Sequence, residues 1–256
     1  MTMGRCPLSN ETEVITAMMV YSSTDIGLSR SENQDSYTSG TVYDAVFAVV
    51  CDGMGGSNAG SEASKRAAAM MHDRIEKSYQ SDYDSNKIRN LLLAAVRTTN
   101  AVIYDLGSTV SEWRGMGTTC VAALCRGNML HIVNVGDSRA YLISHEITQI
   151  TRDHSMVMRM YEKGEITKEE LKNHPNKNVI TRAVGVSYDV NPDYFELELP
   201  EGGAVLLCTD GLSNYCDEGF MFRTVKDFGA ENAPEILVRK ALENGGRDNI
   251  TVSLLK

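Results

Sequence analysis

Four aspartates in this sequence share one kind of setting. Each lies at the boundary of an apolar run, beside glycine, serine or asparagine, and they are Asp52, Asp137, Asp210 and Asp248. Core packing does not require a carboxylate at such a position, whereas a hard divalent cation binds several oxygen ligands and keeps bound waters. Four carboxylates in one place would repel each other unless a cation neutralised them. The pattern therefore predicts a metal site, provided that the four segments converge in the fold.

The segment around Asp52 shows the pattern most clearly. Residues 46–51 form an apolar run that predicts a strand buried on both faces, and Asp52 follows it directly. Gly53, Gly55 and Gly56 come next, and residues without side chains let backbone carbonyls approach an ion. Because Asp-Gly is also a common turn pair, this segment taken alone favours an ordinary turn. Its repetition near residues 137, 210 and 248 is what favours a metal.

The chemistry that such a site supports is hydrolysis. Two ions roughly 3.5–4 Å apart can share a carboxylate and ionise a bridging water near neutral pH, so that an ester is attacked without a side-chain nucleophile. A nearby guanidinium such as that of Arg30 would bind a phosphate. The pattern indicates metal-assisted phosphoester hydrolysis. Residues 22–36, which carry Arg30 and Asp35, are equally typical of a solvated hairpin loop.

Other catalytic chemistries find little support. Cys120 and Arg126 have the C-x₅-R spacing of cysteine phosphatases, but the residues between them form an apolar strand pattern rather than a glycine-rich phosphate loop. The sequence has no P-loop, zinc-protease or serine-hydrolase motif. Its five histidines are scattered, and only His154, beside a highly charged segment, merits a test as a functional residue.

Periodicity predicts a mixed α and β fold. Helices are expected at 59–79, 88–106 and 234–243, and strands at 14–21, 46–51, 118–124, 129–135, 139–143, 194–199, 204–209 and 250–255. Short strands separated by turns are typical of antiparallel sheets. We therefore expect an α+β fold with a central β-sandwich of two antiparallel sheets flanked by α-helices. The charged, methionine-rich segment at 153–180 is expected to be a small flap insertion, either simply solvated or gripping a partner.

Bulk properties restrict the class of protein. With 256 residues, 42% of them hydrophobic, and only five prolines, the chain predicts a single domain over 1–256. A net charge of −9 argues against nucleic-acid or anionic-membrane partners. The sequence shows no signal peptide, no run of 18 apolar residues and no C-x-x-C pair. We expect a cytoplasmic protein with reduced cysteines.

The sequence resembles a known family in an ordered set of short motifs. They are Thr24-Asp25-Ile26-Gly27 to Arg30, Asn33-Gln34-Asp35, Asp52-Gly53-Met54-Gly55-Gly56, Gly117-Thr118-Thr119, Gly136-Asp137-Ser138-Arg139, Asp153-His154-Ser155, Thr181 to Gly185, Thr209-Asp210-Gly211 and Asp248-Asn249. In this order they resemble the metal-dependent serine/threonine protein phosphatases of type 2C in their compact bacterial form. Coverage runs from about residue 17 to the end of the chain.

The resemblance implies a set of metal ligands. Asp52 would bridge two Mn²⁺ or Mg²⁺ ions, and the carbonyl of Gly53 would bind one of them. Asp210 and Asp248 would complete this pair of sites, and Asp137 together with Asp210 would hold a weaker third ion.

It also implies roles around the metals. Arg30 would bind the substrate phosphate, Asp35 would act through a metal-bound water, and the flap at 153–180 would touch the substrate. Two positions depart from many eukaryotic members, because Gln34 stands in place of a metal-linked glutamate and Met54 in place of a histidine often called the general acid. Bacterial relatives commonly share both changes, so activity is still expected, with a metal-bound water as the proton source.

The expected function is removal of phosphate from phosphoserine and phosphothreonine by a hydroxide that bridges the two ions. Phosphorylated proteins, including a cognate serine/threonine kinase, would be the partners of a monomeric enzyme. Two alternatives remain at this level: a phosphatase-like module that binds phosphopeptides without turnover, and a metal-dependent hydrolase of small phosphoesters. Metal uptake would distinguish the catalytic phosphatase from the binding module. Relative rates on phosphopeptides and small phosphates would distinguish it from the hydrolase of small phosphoesters.

Overall fold

The computed structural model describes residues 18–56, 58–171 and 174–256, and these residues form two antiparallel sheets. The first sheet has the order β1-β11-β10-β7-β8, with β1 Val20–Asp25, β7 Arg139–Ile143, β8 Ile147–Gln149, β10 Ala204–Cys208 and β11 Ile250–Leu255. The second has the order β2-β3-β5-β6-β9, with β2 Asp35–Val42, β3 Ala45–Met54, β5 Cys120–Arg126, β6 Met129–Val135 and β9 Asp193–Glu198. A short strand, β4 Gly117–Thr118, pairs with the end of β3.

Helices cover both outer faces. The helices α1 Ala59–Ser78 and α2 Ser85–Thr109 pack on the second sheet. The first sheet is covered by α6 Glu218–Glu243, which is interrupted at Gly229, where φ is 77°. Three short helices, α3 Met156–Glu162, α4 Lys168–Leu171 and α5 Asp210–Ser213, lie in the connections. Within the described residues, no helix is long and apolar enough to cross a membrane.

Strand β3 shows why the sandwich forms. Phe47, Val49 and Cys51 belong to the core beneath α1 and α2, whereas Ala48 and Val50 belong to the core between the two sheets. A strand that is buried on both faces needs apolar side chains at successive positions. This double burial explains the unbroken apolar run at 46–51 and holds Asp52 near the end of β3, an interior strand of its sheet.

The α+β sandwich with flanking helices is confirmed, and several strands coincide with their predicted ranges, namely β6, β7 and β11. The first predicted strand, 14–21, is confirmed only at residues 20 and 21, because the strand is Val20–Asp25. Residues 18 and 19 are not strand, and residues 14–17 lie outside the described residues. The polar residues of β1 gave no apolar signal because their hydroxyls pair with those of β11: Ser22 with Ser253 and Thr24 with Thr251, each at 2.8 Å.

Two further elements differ from the sequence prediction. The loop expected at 22–36 is shorter, because it is bounded by β1 and by β2, a strand that the polar sequence DSYTSGTV did not predict. The helix expected at 234–243 is the second half of α6, which begins at Glu218. Asp217 caps this beginning by accepting a 2.8 Å hydrogen bond from the Phe220 amide, and Gly219 and Gly229 had obscured the helical pattern.

Candidate metal centre and active-site cleft

The four aspartates lie at one end of the sandwich. Asp52 is near the end of β3, Asp137 is in the turn between β6 and β7, Asp210 begins α5 directly after β10, and Asp248 precedes β11. All four line one cleft of about 270 Å³. The convergence on which the metal prediction depends is therefore present, with two carboxylates next to strands of each sheet.

Arg30 and Gly53 line the same cleft, as do Gln34 and Met54. The flap region contributes Asn178 and Ile180. The cleft thus combines a carboxylate floor with one guanidinium and with residues from the segment that sequence alone assigned to a flap.

Asp35 lies behind the cleft rather than in its lining. It is opposite Asp52 in the β2–β3 register and is buried. Its Oδ2 accepts a 2.9 Å hydrogen bond from the Thr209 hydroxyl, while its buried Oδ1 has no hydrogen-bond partner among the described residues. A buried carboxylate oxygen of this kind normally has a partner, so Oδ1 keeps an unused capacity to accept a hydrogen bond.

The backbone of Asp52 is fixed from a neighbouring strand. Its amide donates to the Thr119 hydroxyl at 2.8 Å, and its carbonyl accepts from the Thr119 amide at 2.8 Å and the Thr118 hydroxyl at 2.9 Å. The Thr119 and Ser138 hydroxyls are 2.7 Å apart, which links Asp52 to the turn that carries Asp137. These contacts hold two of the candidate ligands in one frame.

Gly53 occupies a position with no room for a side chain. A Cβ there would lie 2.0 Å from the Gly60 carbonyl oxygen and 2.7 Å from that of Gln34. The segment that carries Asp52 is therefore packed tightly between the start of α1 and the loop before β2. Glycine at this position is required by close backbone approach, in addition to any contact of its carbonyl with an ion.

Asn249 joins the loop that carries Arg30 to the turn that carries Asp248. Its side-chain amide donates to the carbonyls of Ile26 at 2.8 Å and Glu32 at 3.0 Å, and its Oδ1 accepts from the Gln34 amide at 2.8 Å. Arg30 then donates to the Asp248 carboxylate at 2.8 Å. The sequence motif contained Asn249, but its spacing alone gave no indication of this bridging role.

Burial raises the pKa of several of these carboxyl groups. The pKa of Asp137 rises to about 8 and that of Asp210 to about 6, first through burial and then through the nearby carboxylates. Burial also raises the pKa of Asp35 to about 7, against the hydrogen bonds from threonine hydroxyls. The pKa of Asp52 is raised well above its ordinary value by burial and by Asp35. Bound cations would stabilise such a site, because their positive charge offsets the repulsion between the carboxylates.

The donor set fits hard divalent ions. Every candidate ligand offers oxygen, which Mg²⁺ and Mn²⁺ prefer. The aspartates do not form one tight cage: in the parts of the chain that the structure describes, the one set of three ligand atoms all within 4.8 Å of each other is His72, Asp73 and Glu76 on α1. A spread set of carboxylates suits two ions that share a ligand and keep several waters. The α1 trio is largely exposed, and its Asp73 is already paired with Lys77.

His154 is a positioning residue rather than a ligand of the cleft. It is buried, and its Nδ1 accepts a 3.0 Å hydrogen bond from the Gly136 amide, next to Asp137. Its Nε2 lies 3.1 Å from the Asp193 carboxylate. Burial lowers the pKa of His154, which keeps the ring neutral and able to accept at Nδ1.

Residues outside the aspartate pattern complete the site. Thr209 holds Asp35, and Asn214 donates to the Asp210 carboxylate at 3.0 Å. The cysteine-phosphatase alternative fails, because Cys120 is buried and Arg126, at the other end of β5, bonds to Asp44.

Comparison with known proteins identifies the family of this chain. The sequence model of the Protein phosphatase 2C family matches residues 29–244. The chain belongs to this family. A serine/threonine phosphatase, Stp, of Listeria monocytogenes is 36% identical over 239 residues, which is 91% of this chain and 93% of that protein.

Solved structures of the protein phosphatase 2C fold superpose closely on the chain. The serine/threonine phosphatase Stp1 of Staphylococcus aureus is 35% identical with a TM-score of 0.86, covering 94% of this chain and 95% of that one. The catalytic domain of the phosphatase PstP, solved in complex with two manganese ions, is 32% identical with a TM-score of 0.82, covering 93% and 97%. Both the fold and the use of Mn²⁺ or Mg²⁺ are thus those of the family.

Proposed function

We propose that this chain is a metal-dependent protein phosphatase that hydrolyses phosphoserine and phosphothreonine. The observation that carries the proposal is the convergence of Asp52, Asp137, Asp210 and Asp248, from both sheets, on one cleft that Arg30 also lines. Relatives that cover nearly the whole chain are named serine/threonine phosphatases. A module without turnover would have no need of carboxylates such as Asp52, Asp137 and Asp210, whose burial and mutual repulsion raise their pKa.

The proposed ligands follow from position in the cleft. Asp52, which lines the cleft with the other three aspartates, would bridge two Mn²⁺ or Mg²⁺ ions, the Gly53 carbonyl would bind one of them, and Asp210 and Asp248 would complete these sites. Asp137, with Asp210, would hold a weaker third ion. Bound ions of this kind neutralise the phosphate and lower the pKa of water to near neutrality, which supplies the nucleophile.

The chain's own side chains would bind and orient. Arg30 would bind two phosphate oxygens with its planar guanidinium, and its contact with Asp248 would place that phosphate beside the metal ligands. Asp35 Oδ1 would accept a hydrogen bond from a water in the cleft and fix its orientation. Met54 offers no proton, so the leaving alkoxide would take its proton from water.

The wider setting is also proposed rather than fixed by geometry. We infer one catalytic domain over 1–256, with a flap at 153–180 that brings Asn178 and Ile180 to the cleft. The enzyme would act as a cytoplasmic monomer on phosphorylated proteins, including a cognate serine/threonine kinase. Its net charge of −9 supports the absence of nucleic-acid and anionic-membrane partners.

Rates of hydrolysis with Mn²⁺ test the proposal. An aryl phosphate and a phosphothreonine peptide should both be hydrolysed, and chelation should abolish both activities. Asp210→Asn and Asp248→Asn should each lower kcat/KM at least 100-fold, whereas Asp73→Asn, on the exposed face of α1, should not change it. Metal-dependent activity that survived both cleft substitutions would refute the assignment. Hydrolysis of the aryl phosphate alone would favour small phosphoesters as substrates.

A further inference from the structure

A second pocket opens directly beside the catalytic cleft. It has a volume of about 410 Å³, and it shares Met54 and Ile180 with the lining of the cleft. The apolar part of its lining consists of these two residues with Ala183, Val186 and Val190. We call it the Val186 pocket. A substrate segment whose phosphorylated residue lies in the cleft would extend directly into this pocket.

One wall of the Val186 pocket is held rigidly by α2. The buried Asn100 accepts a hydrogen bond from the Gly185 amide at 2.8 Å and donates to the carbonyls of Ser187 at 3.0 Å and Tyr188 at 2.9 Å. Val184 forms paired backbone hydrogen bonds with Thr118, at 2.8 and 3.0 Å. The loop that presents Val186 is therefore preorganised, which lowers the cost of binding.

Another part of the lining is fixed by an ion pair. Arg182 donates to the Asp193 carboxylate at 2.7 Å and to the Asn191 carbonyl at 2.8 Å. Its charge is thereby neutralised within the wall. What remains for a ligand is mainly apolar surface, with the exposed carboxylate of Asp189 also in the lining.

Val186 itself is unusual for an apolar residue beside a charged cleft. It is 54% exposed, yet its position is restricted, because a Cβ added at Gly117 would lie 2.7 Å from Val186 Cγ2. The methyl groups of Val186 thus pack over backbone on one side and face the pocket on the other. Exposed apolar surface that is continuous with a functional cleft is typical of a binding site.

We propose that the Val186 pocket binds an apolar side chain of the phosphoprotein substrate, on a residue close to the phosphorylated serine or threonine. The inference rests on the proposed function, because the cleft that adjoins the pocket must hold that phosphorylated residue. An extended peptide advances about 3.3–3.6 Å per residue, so the apolar side chain belongs within about three residues of the phosphate. Asp189 makes an acidic side chain unfavourable at the same place.

The proposal assigns Met54 a role in substrate binding. Met54 lines both the cleft and the pocket, so a flexible thioether stands where the two meet. Methionine adapts its shape to apolar partners. Met54 would therefore contribute to the choice of substrate.

A peptide panel tests the proposal. Phosphothreonine peptides with an alanine background carry leucine, serine or aspartate at each of the three positions before and after the phosphothreonine. At one or more positions, the leucine peptide should exceed the serine peptide about tenfold in kcat/KM, and the aspartate peptide should be the poorest. Equal kcat/KM for leucine and serine at all six positions would overturn the proposal.

Variants then place the preference in the pocket. The ratio of kcat/KM for the leucine and serine peptides should fall to near one in Val186→Ser and Val190→Ser, and in Val186→Asp a lysine peptide should become preferred. Val102→Ser, an exposed position on α2, should keep the wild-type ratio. A leucine preference that persists in all three pocket variants would also overturn the proposal. Hydrolysis of the phosphothreonine peptides by the wild type, whatever the ratio between them, separates this failure from failure of the proposed function, in which none of the peptides would be hydrolysed.

Discussion

Arg30 and Asp248 form an ion pair at the mouth of the cleft, with 2.8 Å between Nη2 and Oδ2. The pair joins the guanidinium proposed to bind phosphate to a carboxylate proposed to bind metal, and the hydrogen bond to Asp248 raises the pKa of Arg30. Two proposed functions, phosphate binding by Arg30 and metal binding by Asp248, therefore share one ion pair. A phosphate would compete with Asp248 for Arg30, and a metal ion would compete with Arg30 for Asp248. Substitution of one residue can therefore separate the two roles.

Replacement of Arg30 should lower the rate of substrate hydrolysis without weakening the binding of Mn²⁺. In Arg30→Ala, kcat/KM for a phosphothreonine peptide should fall about 100-fold, because the charged hydrogen bonds to phosphate are lost. Affinity for Mn²⁺ should stay the same or rise, since Asp248 no longer shares its charge with a guanidinium. Arg30→Lys should recover part of the activity only, because an ammonium lacks the planar fork. Steady-state kinetics and titration calorimetry measure the two effects, and loss of Mn²⁺ affinity in Arg30→Ala would refute this account.

Asp35 should matter through its unpaired oxygen. Asp35→Asn keeps the shape and can still accept from Thr209, but it places an amide donor or a weaker acceptor at the position of the unpaired Oδ1. We expect a 10–100-fold loss in kcat with little change in thermal stability. Thr209→Val should instead lower the free energy of unfolding by about 1–3 kcal/mol, because it removes a donor from a buried carboxylate. Equal kcat for Asp35→Asn and wild type would contradict the proposed role.

The stability of the metal-free protein should fall as pH rises. Asp210, Asp35 and Asp137 have pKa values of about 6, 7 and 8, against about 3.9 for an unfolded aspartate. Between about pH 4 and 8, the folded state therefore binds more protons than the unfolded state, and the free energy of unfolding decreases with pH.

Melting curves from pH 5 to 8.5 check this dependence. With a chelator, Tm should decline across the range, and the decline should be shallower in Asp137→Asn. Saturating Mn²⁺ should remove it, because ions favour the deprotonated carboxylates. A metal-free Tm that rises over this range would show that the carboxylates are not close enough to repel.

His154 should affect metal affinity without touching substrate. In His154→Phe the Gly136 amide loses its acceptor, and the turn that carries Asp137 becomes less well fixed. We expect the Mn²⁺ concentration for half-maximal activity to rise several-fold, while kcat at saturating Mn²⁺ changes little. His145→Phe, at an exposed position in the turn after β7, serves as the matched control. An unchanged Mn²⁺ concentration for half-maximal activity would show that His154 does not support the metal centre.

The sequence predicted the parts of the fold that depend on apolar patterning. The apolar run before Asp52 predicted strand β3, since double burial leaves a clear signal. Strands whose partners are hydroxyls or backbone, such as β1 and β2, carried no such signal. The convergence of Asp52 with Asp210 depends on register between distant strands, which spacing cannot encode.

The finer construction of the site was beyond sequence patterns. Asn249 and Thr119 look like ordinary polar residues, and only their hydrogen bonds show that they hold Arg30's loop and Asp52 in place. Ordered motifs located these positions but did not give the contacts. Val186 and Val190 of the Val186 pocket belong to no motif, and the loop that carries Val186 is held by hydrogen bonds to Asn100 of α2.

The central claim is that carboxylates from both sheets together hold a pair of ions. Anomalous diffraction at the manganese edge, from crystals soaked in Mn²⁺, tests it most directly. We predict two peaks about 3.5–4 Å apart, with an oxygen of Asp52 between them and Asp210 and Asp248 on the outer sides. An absence of peaks in the cleft, or peaks that avoid Asp52, would contradict the account.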